Sequence, residues 1–207
     1  MPNRSIDTAV FQAVRANNVS ALQQALDQGA SLEARDISSY TPLVLAAREK
    51  ANDCLALLIK AGADLNVQNE YGETAVHLAA MVNNPDGVKQ LIQAGADVNV
   101  KTHFQSTALF AAVSYDREAC FDALVLAGAE INIHDAKGNM PLDHALELKN
   151  IPLIARLVDA GADIDLLKPE AREKYEEMAT EIKKLQKMDT AQKHHNLRHY
   201  ISKRKPF

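Results

Sequence analysis

Thr74-Ala75-Val76-His77-Leu78-Ala79-Ala80, followed further on by Gly95-Ala96-Asp97-Val98-Asn99, is the stretch that decides how this chain folds, because both halves return at a fixed period. The glycine-alanine pair stands at Gly29-Ala30, Gly62-Ala63, Gly95-Ala96, Gly128-Ala129 and Gly161-Ala162, with the same interval between one pair and the next each time. Four of the pairs lead into an acidic residue, an aliphatic one and Asn or Asp: Asp64-Leu65-Asn66, Asp97-Val98-Asn99, Glu130-Ile131-Asn132 and Asp163-Ile164-Asp165. The first half has counterparts at a constant offset ahead of the last four pairs, at Thr41-Pro42-Leu43, Thr74-Ala75-Val76-His77, Thr107-Ala108-Leu109 and Met140-Pro141-Leu142. Two marks with one period and a constant offset define a stacked repeat, whose units bury their apolar faces only against one another.

Within one unit the residues state the local structure. Thr74 stands where a helix needs an oxygen for its orphan N–H groups. Val76, Leu78, Ala79 and Ala80 then form a short first helix, and the alanines permit close approach. Asn83 and Asn84 mark a turn, since Asn tolerates left-handed backbone. Val88, Leu91 and Ile92, at i, i+3 and i+4, are the apolar stripe of a second helix. Gly95 closes it from the left-handed C-cap position. Equivalent stripes are Leu55, Leu58 and Ile59; Phe121, Leu124 and Val125; and Ile154, Leu157 and Val158. The first unit, Ile6 to Arg35, lacks the Thr-Pro-Leu mark, although Thr8-Ala9-Val10 stands in register, and its Gln12, Gln23 and Gln24 suit a polar outer end.

These marks resemble the ankyrin repeat family, with Thr74 to Ala80 and Gly95 to Asn99 as the best match. The resemblance covers about residues 5–169 and implies two antiparallel helices per unit, a hairpin-like projecting loop, and a Thr–His bond between Thr74 and His77. The chain departs from the pattern at Val44, Phe110 and Asp143, which replace the signature His, at Ala75 and Ala108, which replace Pro, and at Met140, which replaces Thr. The expected architecture is an all-α repeat solenoid. Its units are 5–37 (the N-terminal cap), 38–70, 71–103, 104–136 and 137–169, followed by a helical C-terminal cap and basic tail over 170–207.

Composition narrows the function classes. With 47% hydrophobic and 24% charged residues the chain has the make-up of a folded protein and not of a disordered one. It has no apolar run long enough for a membrane span and no apolar h-region after Met1-Pro2-Asn3-Arg4, so neither a transmembrane segment nor an ordinary signal peptide is expected. Cys54 and Cys120 lie two units apart, at the same position of alternate repeats. Two helix widths separate them by roughly 20 Å, too far for a disulfide, so they read as buried apolar residues in a reducing, cytoplasmic compartment. Residues 1–167 carry 12 basic and 21 acidic side chains, and residues 168–207 carry 11 and 6, so an acidic solenoid precedes a basic end.

That end begins with Ala171, Tyr175, Met178, Ile182 and Leu185, spaced as the stripe of an amphipathic helix, with Glu170, Glu173, Glu176 and Glu177 at its start and Lys183, Lys184 and Lys187 at its end. Asp189-Thr190 is a candidate cap for a further helix through Ile201. Lys193, Arg198, Lys203, Arg204 and Lys205 form a basic tail that suits nucleic acid or anionic lipid.

No nucleophile with a base, carboxylate pair, metal cluster or Gly-rich phosphate loop is visible, so no enzyme, cofactor or metal is expected. His195 and His199 are i, i+4, but no Glu lies between them and no Cys lies nearby. The family resemblance implies protein recognition. By register the loop tips carry Tyr40, Tyr71, His103 and Phe104, and the ends of the first helices carry Met81, Val82 and Tyr115. Aromatic and Met side chains are favoured in interface cores, which makes these seven the candidate protein-binding residues. A capped stack predicts a monomer. Small free-standing proteins of this kind also look like effectors that intracellular bacteria deliver into host cells, with the charged tail as a translocation signal.

Overall fold

The computed structural model describes residues 4–187. Among these, eleven α-helices follow one another: α1 (Arg4–Arg15), α2 (Val19–Asp27), α3 (Pro42–Glu49), α4 (Asn52–Lys60), α5 (Ala75–Met81), α6 (Pro85–Gln93), α7 (Ala108–Ser114), α8 (Glu118–Leu126), α9 (Pro141–Glu147), α10 (Ile151–Asp159) and α11 (Pro169–Gln186). No strand occurs among the described residues. The odd-numbered helices α1 to α9 pack side by side as an inner row, and α2, α4, α6 and α8 form an outer row. The result is a stacked repeat, as the periodicity implied, and the all-α solenoid that the family resemblance implied.

Each recurring sequence mark performs a definite bonding task. At Gly95 (φ +93°) the amide donates to Ile92 O at 3.0 Å, and Ala96 N donates to Leu91 O at 3.0 Å. These two bonds are a Schellman closure of α6. The same pair recurs at Gly29-Ala30, Gly62-Ala63, Gly128-Ala129 and Gly161-Ala162. The Asn that follows in the later units links neighbours: Asp97 N donates to Asn66 Oδ1 at 3.0 Å, Glu130 N to Asn99 Oδ1 at 2.8 Å, and Asp163 N to Asn132 Oδ1 at 2.8 Å. The inner helices start at Thr41 and Thr107, whose hydroxyls accept from Val44 N and Phe110 N. Met140 has no such oxygen; there Asp143 reaches back and accepts from Met140 N at 2.6 Å.

The two ends close on their own residues. α1 begins at Arg4, so Thr8 lies inside the helix and does not cap it, unlike Thr41 in the second unit. The longer helix puts Asp7 and Arg15 over the first loop. Asp7 Oδ1 accepts from Ser31 N at 3.3 Å, and Arg15 donates to Asp36 at 3.1 Å. Gln12, Gln23 and Gln24 are exposed. At the other end α11 packs on α10 and α9 through buried Tyr175 and Ile182, with Ala171, Met178 and Leu185 half-buried beside them. Lys168 Nζ donates to Lys137 O and Asn139 Oδ1. The core is a continuous run of small aliphatic residues from Val10 to Ile182. It includes Cys54 and Cys120, both free thiols, and burial pushes both of them up from their ordinary titration range.

Candidate functional site

The hairpin-like loops between outer and inner helices are built on a second set of register positions. Asp36 N bonds Tyr40 O, Asn69 N bonds Glu73 O, Thr102 N bonds Ser106 O, and Asp135 N bonds Asn139 O, at 2.9 to 3.1 Å. The first residue of each loop also turns its side-chain oxygen inward. Asn69 Oδ1 accepts from Tyr71 N and Glu73 N, both at 2.9 Å, and Thr102 Oγ1 accepts from Phe104 N and Ser106 N, both at 3.2 Å. Asp135 does the same for Lys137 and Asn139. These bonds fix the tip backbone.

Neighbouring tips are tied to each other. His103 N donates to Tyr71 O at 3.0 Å, and Ala136 N donates to Phe104 O at 2.9 Å. Gly72, at φ +78°, lies close against the third loop: a Cβ there would lie 2.7 Å from His103 N and 2.9 Å from His103 Cδ2. Below the tips, Gln68 Nε2 bridges Gly72 O and Lys101 O, and Arg35 bridges Ser39 O and Gln68 O.

On this frame Tyr71, Phe104 and Tyr115 are 49%, 64% and 51% exposed, and His103 is exposed with its ring against Gly72. Val82 is half-buried, and so are Met81 and Tyr40, which lean on the core. Tyr40 sits at the closing end of its loop, where the Arg48 guanidinium covers its ring at 5.3 Å. Burial raises its phenol; Arg48 opposes this, and Glu73, Asp36 and Tyr71 add to it. Met81 O at the end of α5 accepts from Arg117 Nε, between α7 and α8, at 3.2 Å, so the rims of the third and fourth units are tied as the tips are. Of the seven candidates, three aromatics and His103 are exposed, while Val82, Met81 and Tyr40 are half-buried. Lys193, Arg198, Lys203, Arg204 and Lys205, together with His194, His195, His199 and the proposed helix after Asp189, lie outside the described residues.

Val19, Ile37, Leu126, Leu148 and Leu166 are exposed apolar residues outside the candidate set. Ile37 projects fully from the first tip, and Leu126 is 89% exposed at the end of α8. Ile37 falls in register with Glu70, His103 and Ala136, so the loop alignment itself contained the signal. Leu148, 42% exposed, continues the line of Val82 and Tyr115.

His77 belongs to the scaffold and not to this surface. Thr74 Oγ1 and Thr74 N reach His77 Nδ1 at 2.9 and 3.2 Å, and His77 Nε2 faces Ser106 O at 3.4 Å. The Nε2-protonated, neutral ring satisfies all of these. Burial pushes its pKa down to about 4, against a smaller opposing effect of the carbonyls of Ser106 and Val100. Among the described residues no group of His, Cys, Asp and Glu is arranged to hold a metal ion. No helix among them is long and apolar enough to cross a membrane.

The architecture defines a class of helical repeat proteins whose units stack and whose loops project. The family model for ankyrin repeats (3 copies) matches residues 10–102 and 76–168, and the chain belongs to the ankyrin repeat family. No curated protein matches the chain. Ankyrin repeats serve as protein–protein interaction modules, and that coarse role applies here.

Proposed function

We propose that this protein binds another protein across its loop tips and the adjoining ends of its inner helices, without catalysing a reaction. The observation that carries this reading is the pair Tyr71 and Phe104: equivalent positions of adjacent units, both exposed, on loops bonded to one another. Rigid aromatics held out to solvent add nothing to the core and supply interface hot spots at low entropic cost. Affinity capture tests it with three baits: full length, residues 1–188, and Tyr71→Ala/Phe104→Ala. A protein retained by the first two and lost by the third supports the tip surface. Equal capture by all three removes it.

A second reading places binding in the basic tail, as a tether to nucleic acid or anionic lipid. It is favoured by the charge contrast between residues 1–167 and 168–207. It predicts binding that falls steeply with salt and disappears when residues 189–207 are deleted. The narrower reading of a bacterial effector rests on the family resemblance alone, and a host-cell reporter fusion with and without the tail tests it.

A further inference from the structure

The spacing and charge along the loop tips also select the kind of chain that fits them. Ser38, Tyr71, Phe104 and Lys137 occupy one register line, and Glu70 stands beside Tyr71. The backbone bonds from His103 N to Tyr71 O and from Ala136 N to Phe104 O keep the second, third and fourth tips in step with the helices beneath them. Packed helices lie roughly 8–10 Å apart, so Tyr71, Phe104 and Lys137 are presented at that interval. Among regular backbones, a β-strand returns to one face about every 6.7 Å and then at about 13 Å, and matches neither. A polyproline II chain returns to one face every third residue, about 9.3 Å, and matches directly.

An α-helix comes near the same interval with every seventh residue, about 10.5 Å. It would need a wide apolar trough. The two rings are instead flanked on the tips by Glu70, His103 and Gln105, all exposed. Along the second and third tips the apolar track is one ring wide. Proline side chains pack against exposed aromatic rings, and a polyproline II segment loses little entropy on binding because its backbone is already extended. The charges then set direction. Glu70 lies at the Tyr71 end, and Lys137 lies one unit beyond Phe104, both exposed.

We propose that the tip line of this protein binds a polyproline II segment of the pattern basic-Pro-x-x-Pro-x-x-acidic. Its two prolines lie on Tyr71 and Phe104, its basic residue faces Glu70, and its acidic residue faces Lys137. This rests on the tip surface being the binding surface.

The test is fluorescence anisotropy of the labelled peptide Arg-Pro-Ala-Ala-Pro-Ala-Ala-Glu against the full chain. Three comparison peptides are used: prolines four apart, the charges exchanged end for end, and a helical peptide with leucines seven apart. The expected result is saturable binding of the first peptide, weakened about tenfold or more by either proline respacing or Tyr71→Ala/Phe104→Ala. In Glu70→Lys/Lys137→Glu the preference should pass to the charge-exchanged peptide, with circular dichroism unchanged. No binding of the proline peptide at about 1 mM, or tighter binding of the leucine peptide, overturns the proposal. If the proline peptide fails while the double alanine variant still loses a captured protein, the tip surface stands and only the peptide class falls.

Discussion

Thr74 Oγ1 lies 2.9 Å from His77 Nδ1, and both side chains are buried in the third unit, with His77 Nε2 facing Ser106 O of the fourth. The ring is held neutral, which ties stability to pH. His77 has its pKa lowered to about 4 in the folded chain, against an ordinary value of 6.5. The unfolded chain therefore binds a proton between these values that the folded chain does not. Its stabilising contribution is complete above about pH 6.5 and is lost as pH falls through the window toward about 4, to the extent of about 3 kcal/mol. Urea unfolding at a series of pH values should show this fall. In His77→Gln the slope in that window should flatten, and an unchanged slope would mean that other groups produce it.

Gly72 and Gly138 separate two costs that are usually mixed. Both have positive φ, +78° and +74°, but a Cβ at Gly72 meets His103 N at 2.7 Å while one at Gly138 meets only Lys168 Nζ at 4.0 Å. Gly138→Ala should cost about 1 kcal/mol, the left-handed penalty alone. Gly72→Ala should cost about 3 kcal/mol, because the two tips must also move apart. Denaturant midpoints measure both, and equal losses would show that the tips yield freely.

The inner helices end on left-handed residues that are not glycine: Asn17, Lys50, Asn83, Asp116 and Lys149, again one repeat apart, with φ between +45° and +58°. Each is followed by a bond of Schellman type, as from Ala51 N to Ala46 O at 2.9 Å. Lys50 is exposed and carries a Cβ that the left-handed backbone crowds, so Lys50→Gly should raise stability by about 1 kcal/mol. Thermal unfolding checks this; a lower midpoint would mean that the lysine side chain contributes more than its backbone costs.

These contrasts explain what the sequence could and could not reveal. The outer-helix ends were legible because glycine advertises the left-handed position. Among the inner-helix ends Asn83 was legible for the same kind of reason, whereas Lys50 and Lys149 are of a residue type that gives no such sign. The stripe of α11 was legible as a period, and Tyr175 and Ile182 are its buried residues. Thr8 stands in register with Thr41, but register says nothing about where a terminal helix begins, and α1 starts ahead of it at Arg4. At the tips, register identified the candidates but not how far each ring projects. Tyr40 and Tyr71 are both tip tyrosines, yet Arg48 covers one while the other stands free of the core. Part of that difference is register, since Tyr40 aligns with the loop-closing Glu73 and Tyr71 with Ser38, and the cover by Arg48 of the following helix is the part that no local pattern encodes.

Arg156 is a tertiary device of the same kind. It lies in α10, 24% exposed, donates to Glu118 at 3.3 Å and to Asp122, and sits 5.1 Å from the centre of the Phe121 ring, all three on α8. Desolvation lowers its pKa, and Glu118 and then Asp116 oppose this. This cluster joins the outer helix of the fourth unit to that of the fifth. Arg156→Ala leaves Glu118 and Asp122, one helical turn apart, without the charge between them, and uncovers the Phe121 face. The expected loss is about 1–2 kcal/mol, since Asp122 is well exposed and solvent weakens its share. Arg156→Lys should recover less than half, because a point charge can neither fork to two carboxylates nor lie flat on a ring. Full recovery by lysine in urea unfolding would reduce the cluster to simple charge balance.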